Sequence, residues 1–262
     1  MRGEVLIGIG SLLSFAALLL LIFSHVGQIN TSSVPRGIYM ARVNVSGYGA
    51  ALSIAFLNPI DDLYTSNASA PLQAEAGLRQ FYKMGLYSHC GFVNETAGIC
   101  SNTSAGYQYR PYDHIIGDMT PNYQFYSDAI IVQTTFRNSK YLGSSSRAAY
   151  YLILLGTICA ALAFFSGLAK HNFTFLLSAT FAGISSLFVL VGAAIWTVII
   201  KKSDSINEII IGTETNPSPL GITVSTGPGL YLCPMWYPVA HTADKLAQKH
   251  DVCGSFIKNE IN

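Results

Sequence analysis

Two cysteines ten residues apart are the residues whose types and spacing most directly suggest chemistry. Cys90 and Cys100 are the only cysteines between the first two long apolar runs of the sequence. On the oxidising side of a membrane, two such thiols form a disulfide, which would stabilise a small domain by roughly 2 to 3 kcal/mol. A zinc site that adds His89 and His114 is the alternative, but this spacing matches no common zinc motif. We therefore expect a disulfide and no metal.

Patterns of catalytic residues are missing from the sequence. There is no Gly-x-Ser-x-Gly turn, no His-Glu-x-x-His helix and no phosphate-binding glycine loop followed by lysine. Asp61-Asp62 and Asp113-His114 have side chains suited to acid–base work, but adjacent polar residues in a loop are more often turn and surface residues. The expectation is that the chain is not an enzyme and has no cofactor and no small-molecule substrate.

Five Asn-x-Ser/Thr sequences lie in the region 27–147, which contains eight asparagines. Such sequences are acceptors for N-glycosylation, and their density predicts that this region is extracellular. The N-terminus and Lys170 then lie in the cytoplasm, as the positive-inside rule expects, whereas Lys201-Lys202 would lie outside, against that rule. The candidate acceptors are Asn30, Asn44, Asn67, Asn94 and Asn102.

The composition favours a membrane protein. Half of the residues are hydrophobic and 11% are charged, against about 25% charged residues in soluble domains. The net charge of +1 supplies no long-range field that would attract nucleic acid. The lipid bilayer is therefore the expected partner of this chain, and nucleic acid is not.

Three uncharged runs are long enough to cross a bilayer as helices. They cover residues 5–26, 148–169 and 173–200. A cleaved signal peptide is the alternative for the first run, but signal peptides have shorter apolar regions. Only residues 170–172 separate the second run from the third, which predicts a tight antiparallel hairpin. The third helix would be about 42 Å long, so it must tilt or extend beyond the hydrocarbon.

Small residues spaced by four lie in both helices of the hairpin. Gly156 with Ala160, and Ala179 with Gly183, would allow neighbouring helices to approach closely. Chance is the alternative, because such pairs are frequent in spans rich in alanine and glycine.

A fourth uncharged window, residues 220–240, is interrupted by Pro228, Pro234 and Pro238. Proline breaks helices, so this window is a doubtful span, and a broken helix, a re-entrant segment or an interfacial loop are the alternatives. The expected organisation of the chain has six parts: the cytoplasmic N-terminus and first span (1–26), an extracellular loop domain (27–147), a helical hairpin (148–202), a second extracellular loop (203–219), the doubtful span (220–240) and a C-terminal tail (241–262).

The first loop is expected to form a small β-rich domain. Alternating apolar residues over 38–45 predict a strand, and residues 81–86 and 128–136 give two weaker patterns.

One span, a long loop with a cysteine pair, a tight hairpin and a last apolar segment together resemble the claudin-like tetraspan superfamily. Gly85-Leu86-Tyr87-Ser88-His89-Cys90, followed by Cys100, is similar to its G-L-W-x-x-C-x-C signature, with Tyr87 where tryptophan is usual. Further segments are similar to the fungal Sur-seven/PalI family. These are Val34-Pro35-Arg36-Gly37-Ile38-Tyr39, Val43-Asn44-Val45-Ser46, Cys100-Ser101, Tyr109-Arg110-Pro111, Leu220-Gly221-Ile222, Gly227 and Trp236.

The resemblance covers residues 5–236 and implies an integral membrane protein that is mainly α-helical. It implies a claudin-like four-helix bundle, with three firm spans and one doubtful span, that carries the small β-rich extracellular domain. It also implies a multi-pass plasma-membrane protein of cortical patches that organises eisosome-like membrane domains, with links to cell-wall organisation and endocytosis. The implied partners are other cortical membrane proteins and further copies of this chain.

A regulatory role is the alternative, either in ambient pH signalling or in mating-associated membrane fusion and calcium influx. In a pH sensor, His89 or His114 would be the titrating group, since imidazole changes charge near pH 6 to 7. An ordinary solvated histidine is the alternative at each position. The sequence departs from the family after Trp236, where charged residues replace the continuing apolar helix. We expect this departure to reflect a truncated or alternatively spliced gene.

Overall fold

The computed structural model of the chain describes residues 2–132, 134–168, 172–213 and 216–232. Seven helices occur in these ranges: α1 (Arg2–Val26), α2 (Ser33–Gly37), α3 (Tyr48–Phe56), α4 (Pro111–Asp118), α5 (Pro121–Ile130), α6 (Ser139–Gly167) and α7 (Asn172–Ser203). Seven strands occur there as well: β1 (Ala41–Asn44), β2 (Phe81–Met84), β3 (His89–Phe92), β4 (Gly98–Cys100), β5 (Ile210–Thr213), β6 (Asn216–Pro219) and β7 (Thr223–Thr226). Short 3-10 turns cover Thr135–Arg137, Asp204–Glu208 and Pro228–Leu232.

Two of the helices, α6 and α7, are long and apolar enough to cross a membrane, and α1 adds a shorter apolar stretch, Leu12–Val26. With 32 residues, α7 rises about 48 Å, which is more than a bilayer core needs. Its last turns pack against the loop domain. Trp196, Ile199 and Ile200 are buried there in the largest hydrophobic cluster of the described residues, called the main core below. The extra length of α7 therefore extends the helix into that domain.

The three long helices pack side by side. Phe15 of α1 contacts Phe164 of α6, with ring centroids 5.5 Å apart. Leu21 of α1 packs in a cluster with Val189 and Ala193 of α7. Aromatic and small apolar side chains thus join α1 to both helices of the hairpin.

A five-stranded antiparallel sheet with the order β4-β3-β2-β1-β7 forms the centre of the loop domain. Four of its strands come from the first loop and β7 follows α7, so residues on both sides of the helical hairpin build one sheet. The side chain of Asn207 closes the β7 edge, since it accepts from the backbone N–H of Val224 and donates to its carbonyl.

The first half of the fourth apolar window, residues 220–240, is not a membrane span. Thr223–Thr226 forms β7, which pairs with β1 from Ala41↔Thr226 to Asn44↔Thr223, and Pro228–Leu232 is a 3-10 turn. The alternation of exposed threonine and serine with buried Ile222 and Val224 suits a sheet with one covered face. Residues 233–240, and the tail 241–262, lie outside the described residues.

The third predicted strand, residues 128–136, was wrong. Helix α5 continues to Ile130, and a 3-10 turn follows at Thr135–Arg137. Pro121 stands in the first turn of α5, where its fixed φ favours a helix start. The other two predicted strands exist but are shorter, as β1 and β2. Four short helices accompany them, so the loop domain is mixed α and β.

Candidate functional site: the junction of sheet and helices

The disulfide joins Cys90 and Cys100, which lie directly opposite each other on β3 and β4. Both sulfurs are on the side of the sheet that carries Phe81 and Phe92, and the four side chains form a small apolar cluster. The bond therefore fixes the pairing of β3 with β4 within their hairpin.

Gly85 lies where the sheet meets the end of α1. A Cβ atom at this position would be 2.6 Å from the carbonyl oxygen of Gly27 and 2.9 Å from Cβ of Gln28. Real Cβ atoms do not approach backbone so closely, so only glycine fits between the β2–β3 turn and the chain leaving α1. Close approach of two backbones explains this glycine.

The next two residues of the motif connect the sheet to the helices. Leu86 is buried in the main core. The Tyr87 hydroxyl is 3.1 Å from Nδ1 of His25 in α1, and its ring packs edge-on against Tyr150 of α6 at 5.2 Å. Nε2 of His25 is 2.9 Å from Oγ1 of Thr157 in α6. One tyrosine therefore joins the β2–β3 turn to both α1 and α6.

Gln28 organises the exit from α1, although no pattern in the sequence indicates this role. Gln28 is fully buried, and its backbone φ is 60°. Its side-chain amide donates to the carbonyls of Pro35 and Ile38, at 2.8 and 3.0 Å. Its own carbonyl oxygen accepts from the Ser88 hydroxyl and lies 3.2 Å from Sγ of Cys90. The motif thus folds around the first residues after α1.

A buried ion pair lies behind β2. Arg79 and Asp118 are 0% and 1% exposed, and Nη1 of Arg79 donates to Oδ2 of Asp118 at 2.7 Å. The Tyr82 hydroxyl donates to the same oxygen at 2.7 Å, and the backbone N–H of Gln73 donates to Oδ1. Burial and the Asp118 charge raise the pKa of Tyr82 well above its usual value. The pair ties the end of α4 to the sheet.

The outer face of the sheet carries cations among aromatic rings. Nζ of Lys83 lies 5.1 Å from the ring centroids of both Tyr39 and Phe92. Arg42 stacks over Phe81 at 4.2 Å and pairs with exposed Glu95. Burial lowers the pKa of Lys83. Cation–π contacts hold these side chains flat against the sheet.

His89 and His114, the two candidates for a titrating group, are neighbours in the structure. Their rings stack with centroids 3.8 Å apart, and they are 2% and 8% exposed. Burial lowers the pKa of His114 to about 4, and burial together with the charges of His114 and Arg79 lowers the pKa of His89 well below its usual value. A buried pair replaces the two solvated groups that the sequence suggested.

The five glycosylation candidates all lie in the loop domain. Asn44 is half-buried within β1, in the interior of the sheet. In four of the five, the side-chain oxygen of asparagine accepts from the backbone N–H two residues further on. The exposed candidates are Asn30, Asn67, Asn94 and Asn102.

The four predicted helix-packing residues divide into two pairs. A Cβ at Gly156 would be 2.6 Å from Cγ2 of Val189, and the Gly156 carbonyl accepts from Ser185, so α6 and α7 approach closely here. Ala160 packs against the cluster of Leu21 and Val189. Ala179 is exposed, and a Cβ at Gly183 would meet nothing within 4 Å among the described residues. The second pair therefore faces away from α6.

The arrangement supplies structural contacts rather than a set of reacting groups. Cys90 and Cys100 are bonded to each other, and within the described ranges no cluster of three or more histidine, cysteine or acidic side chains is placed to hold a metal ion. Cys159 is a free, half-buried thiol in α6. Cys233 and Cys253 lie outside the described residues.

Comparison with known proteins gives one match. Residues 6–237 match the model of the SUR7/PalI family. No curated protein and no solved structure matches the chain.

Proposed function

Because the chain belongs to the SUR7/PalI family, a family of membrane tetraspans, we propose that it is a non-catalytic plasma-membrane protein that organises domains of the cell cortex. In this proposal the chain packs laterally with other cortical membrane proteins and with copies of itself, in eisosome-like patches that serve cell-wall organisation and endocytosis. The N-terminus is cytoplasmic, and α1, α6 and α7 are three helices of a claudin-like four-helix bundle.

The outward face of α7 is the observation that carries this proposal. Ala179 and Gly183 are exposed and Gly183 has open space beside it. In lipid, helices associate through small residues that let backbones approach, because apolar side chains gain nothing by leaving the lipid tails. A face of this kind supports association with another helix, from a second copy or from the C-terminal part of the same chain.

Live imaging of the full chain, tagged at its N-terminus, tests the proposal. The wild type should form immobile plasma-membrane patches. The double variant Ala179→Ile/Gly183→Ile should reach the plasma membrane but spread evenly and diffuse freely. Thr180→Ile is the matched control, because Thr180 is also exposed but lies about 100° around the helix from Ala179. Even distribution of the wild type, or patches that persist in the double variant, would contradict the proposal.

Ambient pH signalling is the second candidate, and the stacked histidine pair favours it. His89 and His114 occupy one buried cluster in the loop domain. We expect His89→Gln/His114→Gln to abolish a pH-dependent signal while leaving cortical patches in place. An intact pH response in this variant would remove the support for a sensor. Recruitment of the tagged wild type to mating or fusion tips would favour the membrane-fusion alternative.

A further inference from the structure

The stacked histidines are linked through a single hydroxyl group. His89 stands at the start of β3, His114 lies in α4, and Tyr107 lies in the segment between β4 and α4. The Tyr107 oxygen is 2.7 Å from Nδ1 of His89 and 2.7 Å from Nε2 of His114. Both ring nitrogens therefore share one hydroxyl, which has one proton to donate.

The contact between Gln73 and His114 sets the direction of the hydrogen bonds in this chain. Nε2 of Gln73 is 3.2 Å from Nδ1 of His114. An amide nitrogen donates, so Nδ1 accepts and His114 carries its proton on Nε2. His114 then donates to Tyr107, and Tyr107 donates to Nδ1 of His89. If the Gln73 amide is turned over, every bond in this chain reverses, but the number of protons stays the same. Both imidazoles are neutral in either direction.

An added proton has no good position in this cluster. Nε2 of His89 is buried and has no hydrogen-bond partner among the described residues. A second proton on His114 would face the amide nitrogen of Gln73, and it finds an acceptor only if that amide turns over. Two stacked imidazolium rings 3.8 Å apart would also repel each other in surroundings that exclude water.

The charges around the pair come from three segments. Asp113 and Asp118 belong to α4, Arg110 precedes α4, and Arg79 precedes β2. Asp118 is already paired with Arg79. Asp113 favours the charged form of His114, while Arg110 opposes it. Tyr82 of β2 and Tyr109 beside Tyr107 are neutral at ordinary pH, since burial raises the pKa of both hydroxyls. Asp113 is itself paired with Arg110 and accepts from the Ser139 hydroxyl, so its charge does not offset the burial of the histidine pair.

We propose that the chain Gln73–His114–Tyr107–His89 is an acid-sensitive latch, which holds α4 on the sheet while both histidines are neutral and releases α4 when they take up protons. The direction of the pH dependence follows from the neutral charge of both histidines in the folded chain. An unfolded histidine binds its proton near pH 6.5, and the folded pair resists it, so the latch is at full strength above that pH. It weakens as the pH falls from 6.5 towards about 4, where His114 is protonated in the folded chain as well. The latch does not rest on the cortical or the signalling function, because it is a property of the loop domain.

Hydrogen exchange of the α4 amides in the full chain, purified in detergent, tests the latch. The wild type is compared with His89→Gln/His114→Gln at the same pH, which cancels the intrinsic pH dependence of exchange. The ratio of the wild-type rate to the variant rate should rise roughly tenfold or more between pH 7.5 and pH 4.5. The same ratio for the α6 amides should stay constant. An α4 ratio that is equal at both pH values would overturn the proposal.

Two charge variants keep the test decisive if the double variant does not fold. Asp113 and Arg110 are 41% and 45% exposed, so both positions accept neutral side chains. Asp113→Asn should move the pH midpoint of α4 opening downwards, because it removes a charge that favours protonated His114. Arg110→Gln should move the midpoint upwards. Shifts in the same direction, or no shift in either variant, would show that α4 opens without the histidines.

Discussion

In the loop domain a fully buried polar network joins distant segments, whereas between α6 and α7 close contacts are made at glycine. Arg79 and Asp118 are almost completely inaccessible and are bonded to each other and to Tyr82. Between the helices, the backbone of Gly156 lies against Val189 and Ser185. The two regions belong to one chain, yet each is held together by a different physical effect.

The surrounding solvent explains this difference. In water, burial of apolar side chains drives folding, and a satisfied polar network inside adds specificity, since each donor must meet one acceptor. In lipid, helices gain little from burying apolar side chains, so close packing at small residues decides which faces meet. The loop domain is thus specified by a few contacts between particular groups, and the hairpin by the shape of its surface.

Buried contacts in the loop domain join residues of this chain to each other, whereas part of the α7 surface is open to a partner. Arg79 bonds with Asp118, and Cys90 with Cys100, inside the domain. Ala179 and Gly183 leave a surface of α7 unused among the described residues. We therefore propose that lateral association uses this face of α7.

Loss of the buried ion pair should have the largest effect. Arg79→Met leaves the Asp118 carboxylate buried without its partner, which should destabilise the loop domain by about 3 to 5 kcal/mol. Arg42→Met is the matched control, because its pair with exposed Glu95 contributes about 1 kcal/mol or less. Thermal unfolding of the purified chain in detergent measures both. Similar melting temperatures for the two variants would show that the buried ion pair contributes no more to the loop domain than an exposed one.

Removal of the disulfide should come second. Cys90→Ser/Cys100→Ser frees a short loop in the unfolded chain and should cost roughly 2 to 3 kcal/mol. The double variant should misfold and be retained in the secretory pathway, which surface labelling of cells measures. Cys159→Ser is the control for loss of a thiol and should reach the surface normally. Normal delivery of the double variant would mean that the polar network alone holds the loop domain.

A larger side chain between the helices should have a smaller effect. Gly156→Leu must displace Val189, whose Cγ2 would lie 2.6 Å from the new Cβ, and overpacking of this kind costs about 1 to 3 kcal/mol. Gly183→Leu places the same side chain in open space and should leave the hairpin unchanged. Cross-linking between cysteines introduced into α6 and α7 measures the separation of the helices. Equal cross-linking of both variants would show that the hairpin does not depend on close approach at Gly156.

Features that depend on neighbouring residues could be predicted from the sequence. Uncharged runs indicated the helices that became α1, α6 and α7, and the spacing of Cys90 and Cys100 indicated a bond between them. The motif at Gly85, Leu86 and Tyr87 was visible as a family pattern, but its reason was not. The close approach of Gly85 to Gly27 joins two segments that are far apart in the sequence.

Features that depend on distant pairing could not be predicted. Residues 223–226 form a strand because they pair with the free edge of β1. An apolar window alone does not distinguish such a strand from a membrane span interrupted by proline. Arg79 and Asp118 are 39 residues apart, and each alone is an ordinary charged residue in a loop. His89 and His114 were selected as single solvated groups, whereas the fold of the β3–β4 hairpin and α4 brings them into one cluster.

Tyr87 joins the two regions, and its hydroxyl should have the smallest of these effects. Tyr87→Phe keeps the ring contact with Tyr150 but removes the bond to His25, at a cost of about 0.5 to 1.5 kcal/mol. Tyr126→Phe, at an exposed tyrosine, is the control and should have almost no effect. A double-mutant cycle with His25→Leu, read from unfolding of the purified chain, isolates the bond itself. A coupling of the expected size would mean that the sheet and α1 resist separation as one unit. If the two changes were additive, ring packing and the chain connection would suffice, and the loop domain would be free to tilt on the helices.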